Sequence, residues 1–202
     1  MSKAIETLMN EHRLIEQVLG SLRTFVDQLS PGQSEARARV AGYAEFFREF
    51  ADRTHHGKEE DRLFGAMAQH GFPANGGPVF VMLQEHEIGR AHVRALAEAG
   101  GGSGEFSGEE LDKVKSNAEG FILMLSAHIQ KEDRILFPAA ERAMPGPVLD
   151  TLADEFDEFD STVIGEQAQR RLRELAETLI ALFPPDTSAP NISGGCFSPC
   201  GH

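Results

Sequence analysis

Four stretches of this chain each carry a histidine inside an apolar stripe of helical period, and that recurrence limits what the chain can fold into. In the first, Ile5, Leu8, His12, Ile15, Leu19, Leu22, Val26 and Leu29 recur at alternating spacings of three and four. The third reads Val79, Met82, His86, Gly89, Val93 and Leu96. In the fourth, Leu111, Val114, Ala118, Phe121, Leu125, His128, Glu132, Ile135 and Ala139 set a histidine and a glutamate at consecutive inward positions. The second is less regular, but Phe47, Ala51, His55, Glu59 and Leu63 lie along one i,i+4 row. Glycine and proline clusters at Ser30-Pro-Gly32, 71–78, 100–108 and Pro145-Gly-Pro147 separate segments of roughly 25 to 40 residues, lengths that suit helices rather than strands. The pattern predicts an all-α fold, a four-helix up-down-up-down bundle over residues 1–143.

After Pro147, Leu149, Leu152, Phe156, Phe159 and Val163, then Leu172, Leu175, Leu179 and Leu182, predict an additional C-terminal helical segment over 144–183, packed on the bundle. Its acids, Asp154, Glu155, Asp157, Glu158 and Asp160, read as a solvated face. Residues 184–202 are rich in proline, serine and glycine and read as a flexible tail. The two cysteines, Cys196 and Cys200, lie in that tail, so no disulfide framework organises the fold. With His202 they offer too few ligands for a closed zinc site.

A net charge of -13 argues against a phosphate-backbone partner, and no nucleic-acid function is expected. The apolar runs are far shorter than the roughly 20 residues of a membrane span, and the opening Met1-Ser-Lys-Ala-Ile-Glu6 lacks a signal-peptide pattern, so a soluble, cytoplasmic protein is expected, with no membrane partner.

One buried histidine is commonly a satisfied core residue. Four in four stripes, with a glutamate one turn after two of them, are different, because burying these groups without partners costs several kcal/mol per charge. A bound cation accounts for the set, since side chains at i and i+4 stand about 6 Å apart on one face. With the turn near residues 29–34, a rise of about 1.5 Å per residue places His12 about 25 Å and His55 about 31 Å from it, within about a turn of the same level.

The stretch Thr54-His-His-Gly-Lys-Glu-Glu-Asp-Arg-Leu-Phe64 offers two i,i+4 pairs, His55 with Glu59 and His56 with Glu60. An internal repeat chooses between them. Aligning 58–64 with 131–137 pairs Leu63 with Leu136, Glu59 with Glu132 and His55 with His128, whereas His56 falls on Ile129. The inward pair is therefore His55 and Glu59.

These motifs resemble the hemerythrin-like HHE cation-binding domain: His-x-x-x-Glu twice, each followed by Leu-Phe, with single-histidine motifs at Asn10-Glu-His-Arg13 and 84–90. The resemblance covers roughly residues 4–143. It implies a left-handed four-helix bundle holding a non-haem di-iron centre, with His12, His55, His86 and His128 as terminal ligands and Glu59 and Glu132 as bridges. Ligand type alone admits manganese or zinc. The chain departs from the oxygen-carrying members at Arg90, where they have a further histidine, and Asp133 competes with Glu132 for the last acidic position. The resemblance thus implies a protein that reacts with or senses O2, peroxide or NO, or handles iron under oxidative or nitrosative stress. The alternatives are a di-iron enzyme that scavenges peroxide or NO or donates iron to damaged iron-sulfur centres, and reversible O2 binding. Among the remaining polar residues, His56 is a candidate extra ligand or support, and Arg90 a candidate charge partner for Glu59 or Glu132. Glu11, Glu85, His70 and His92 read as surface residues. Tyr43, about 18 Å along the helix from His55, is too far to ligate.

Overall fold

A computed structural model describes residues 1–73 and 75–186. The described residues form six helices and no strand. Helix α1 is Lys3–Gln28, α2 runs over 36–69, α3 is Gly77–Gly100, α4 runs over 108–143, α5 over 146–164, and α6 is Glu166–Leu182. Their ends follow local chemistry. Ser2 caps α1 through the Ile5 amide, Ser107 and Glu110 close a capping box at the start of α4, and Pro78 and Pro147 sit in the first turns of α3 and α5.

Helices α2 and α4 each contain wide π-type turns, over Phe47–His56 and Glu59–Leu63 in α2 and over Glu132–Leu136 in α4. Four residues of an ordinary α-helix overshoot one turn by about 40°, so an i,i+4 row drifts around the helix. A wider turn removes that drift. Phe47, Ala51, His55, Glu59 and Leu63 consequently all face inward and are buried. The same device keeps Glu132 and Leu136 buried in α4, while Ile135, expected inside, is exposed.

The core has two apolar layers. One contains Ile15, Leu19, Leu22, Phe47, Ala51, Val93, Phe121 and Leu125; the other contains Ile5, Leu8, Leu63, Phe64, Met82, Leu136 and Phe137. Between them, at one level of α1 to α4, lie the histidines and glutamates of the stripes.

The C-terminal segment is two helices rather than one. Gly165, at φ 82°, makes the break with a left-handed backbone that a side chain would strain. Helix α5 adds Leu149, Leu152 and Phe156 to the second apolar layer, and α6 adds Leu172, Ala176 and Leu179 to the first. Its acidic run is only partly solvated, since Asp160 turns inward to Lys58. After α6, the Pro184 carbonyl accepts from Thr24 of α1. Cys196, Cys200 and His202 lie outside the described residues. No helix among the described residues is long and apolar enough to cross a membrane.

Candidate metal centre

The six stripe residues meet in the polar layer. His12, His55, His86, His128, Glu59 and Glu132 are each at most 1% exposed. The rings of His12 and His55 lie 4.5 Å apart and those of His86 and His128 4.9 Å apart, so the level match expected from helix rise holds for the first pair of helices and extends to the second.

Each glutamate faces one histidine from each pair. Glu59 Oε1 is 3.6 Å from His55 Nε2 and its Oε2 is 3.5 Å from His86 Nε2. Glu132 Oε2 is 3.3 Å from both His12 Nε2 and His128 Nε2. None of these contacts has hydrogen-bond geometry. The four Nε2 atoms and all four carboxylate oxygens are buried without a hydrogen-bond partner among the described residues. Native interiors leave few such atoms, and eight converging on one point is exceptional, because each unsatisfied group costs on the order of 1–3 kcal/mol.

The outward ring nitrogens, in contrast, are all engaged by carboxylates. His12 Nδ1 lies 2.7 Å from Asp133, His55 Nδ1 3.0 Å from Glu11, His86 Nδ1 2.6 Å from Glu60 and His128 Nδ1 2.9 Å from Glu85. An ionised carboxylate only accepts, so Nδ1 carries a proton and donates, and in the neutral ring this leaves the Nε2 lone pair facing the centre. That is the second-shell arrangement that orients histidine for a metal.

The electrostatics follow the same division. Burial, together with the neighbouring Glu132, pushes the Glu59 carboxyl well up. Burial acts on Glu132 in the same direction, but His128 and His12 outweigh it and hold that carboxyl well down. His128 shows the reciprocal effect: burial disfavours its cation, yet Glu132 and Glu85 raise it to about 9. His55 is held well below its usual range by burial and by His12.

Two groups of side chains bring ligand atoms within 4.8 Å of one another: His12, His55, Glu59 and Glu132, and His56, His86, His128 and Glu59. The donor set, imidazoles and carboxylates on a closed, apolar-walled layer, fits a pair of divalent or trivalent cations.

His56 is the addition that the internal repeat did not select. It is 6% exposed, its ring stacks on His86 at 3.8 Å, and its Nδ1 faces Asp52 at 3.4 Å. Both members of the His55-His56 doublet turn inward in the wide-turned part of α2. Glu60 and Asp133, the competing acids, support His86 and His12 from behind.

Glu11 and Glu85 are corrections to the surface reading. Besides their histidines they pair with Lys58 and Lys131, and Lys58 is completely buried. Arg90 pairs with Asp52, Glu60 and Glu87, not with Glu59 or Glu132. His70 bonds the Ala66 carbonyl, and His92 is half-buried against Asn117, away from the centre. Tyr43 is fully buried in the first apolar layer, its hydroxyl 2.7 Å from Ser21 Oγ.

Comparison with known proteins agrees with this geometry. The hemerythrin HHE cation binding domain matches residues 3–140. An uncharacterised protein of Mycobacterium bovis and uncharacterised proteins of two strains of Mycobacterium tuberculosis are each 23% identical over 163 residues, or 81% of this chain. The chain spans 63% of the length of those relatives. No solved structure matches it.

Proposed function

The chain belongs to the hemerythrin HHE cation-binding domain family, and from that premise we propose that it is a non-haem di-iron protein that reacts with or senses O2, peroxide or NO, or handles iron under oxidative or nitrosative stress. The observation that carries this reading is the set of eight buried polar atoms, on four histidines and two glutamates, that no group among the described residues satisfies. His12 and His55 would hold one iron, His86 and His128 the other with His56 beside them, and Glu59 and Glu132 would bridge. When bound, such a pair supplies a Lewis-acidic, redox-active centre for small oxygen or nitrogen ligands.

The chain's own residues do the rest. Asp133, Glu11, Glu60 and Glu85 hold each imidazole in the tautomer that offers Nε2 inward. The apolar layers above and below exclude bulk water and keep the carboxylates from being solvated. Protons compete for the same atoms, so metal affinity falls with falling pH as Glu59, His12 and His128 are protonated.

The test is anaerobic iron loading of the full chain, followed by iron analysis and separate additions of O2, peroxide and NO. About two irons per chain are expected, with an oxo-bridged visible spectrum after oxidation and turnover or adduct formation with one of the three. Glu59→Ala loses at least one iron, whereas Glu60→Ala retains both with weakened affinity. Full retention in Glu59→Ala together with loss in Glu60→Ala would reverse the assignment of the two acids.

A further inference from the structure

His56, His86 and His128 also close one end of a cavity of about 210 Å³ between α2, α3 and α4. From there it runs along the bundle past Gly89 and Val93 to Ala97, a distance on the order of 15 Å by helix rise. Its sides are mostly apolar: Phe47 and Ala51 from α2, Val93 and Ala97 from α3, Phe121 and Leu125 from α4. Of the polar groups on its walls, Arg90 pairs with Asp52 and Glu85 with His128 and Lys131, while Arg48, paired with Glu49, and Arg94 are exposed side chains at its edge. At its middle Met124 and Phe121 pack closely over Gly89, where a Cβ would stand 3.2 Å from Met124 Cε and 3.8 Å from Phe121 Cε2.

Size and polarity both bear on the occupant. An apolar cavity of about 150 Å³ is large enough to bind benzene, so this one exceeds what a diatomic or hydrogen peroxide fills. A polar molecule would find few partners along the walls, whereas an apolar group gains about 25 cal/mol for each Å² removed from water. We propose that the cavity binds the apolar body of a small organic hydroperoxide, its oxygen end against His56, His86 and His128. The fit of the body rests on the walls alone; the choice of a hydroperoxide rests on the di-iron reading above.

Isothermal titration calorimetry with 2-phenyl-2-propanol, the redox-inert alcohol of the shape of cumene hydroperoxide, tests the fit on the full chain as isolated with its metal. Iron is measured on the same samples. Saturable binding is expected, weakened at least tenfold by Val93→Phe and by Ala97→Phe, each of which adds a ring to the cavity. Ala97 is only partly buried, so that variant tolerates the larger side chain, and a thermal melt verifies that both are folded. Iron-loaded wild type without saturable binding, or unchanged affinity in a folded Ala97→Phe, overturns the proposal while leaving the di-iron reading standing. Alcohol binding by a chain that takes up no iron defeats the di-iron reading and with it the hydroperoxide assignment.

Discussion

Each histidine of the centre is held from behind by an acid that the linear pattern hides. Glu11 precedes His12 yet serves His55; Glu85 precedes His86 yet serves His128. Glu60 and Asp133 follow the two inward glutamates and serve His86 and His12. The arrangement repeats across the two halves of the bundle, down to Lys58 and Lys131 on Glu11 and Glu85. The inward residues were legible because stripe spacing and the internal repeat report them. Their supports were not, because a residue next to a stripe position points sideways, and its partner is defined only once two helices are packed. Replacing Glu11 by Gln should weaken metal affinity about 10- to 100-fold, measured by competition with a chelator, while leaving the fold intact. Tyr43 gives a separate test of burial. It is the only tyrosine in a chain without tryptophan, and burial, opposed by its Ser21 contact, raises it to about 12. An absorbance titration should therefore show its ionisation near pH 12 in the folded chain instead of about 10. Between those values the unfolded chain releases a proton that the folded chain keeps. Stability then falls with rising pH, by about 2 kcal/mol at pH 12, and Tyr43→Phe should remove that slope.

Among the helices, the breakers in the sequence located the ends of α1 to α4, because proline and glycine act locally. The wide turns of α2 and α4 left no such mark; they are fixed by what the packed helices must turn inward, and through them His56 joins the centre. The division at Gly165 was equally hidden, since a glycine inside a periodic stretch does not reveal the sign of its φ angle. Helix α5 reaches the centre indirectly. Gly57 lets it approach, as a Cβ there would stand 2.8 Å from Phe159 Cζ. Asp160 then pairs with buried Lys58 at 3.0 Å, Lys58 with Glu11, and Glu11 with His55. Removing the charge of Asp160 leaves Lys58 with one anionic partner instead of two. Because Asp160 is partly exposed, Asp160→Asn should cost about 1–2 kcal/mol in denaturant unfolding, less than the loss of a fully buried partner. An unchanged midpoint would show that solvent, and not α5, satisfies Lys58.

For the molecule as a whole, two apolar layers enclose one polar layer whose inward atoms have no hydrogen-bond partner among the described residues. That organisation predicts a stability that depends on a bound cation: a ligand at a thousand times its Kd adds about 4 kcal/mol, which in a chain of this size raises Tm by roughly 10 °C. The most direct measurement is therefore iron content and Tm on the same purified chain before and after chelation. About two irons per chain, and a Tm that falls by roughly 10 °C or more on chelation and returns on reloading, are the predicted result. A chain that takes up no metal and melts at the same temperature with or without chelator would contradict it.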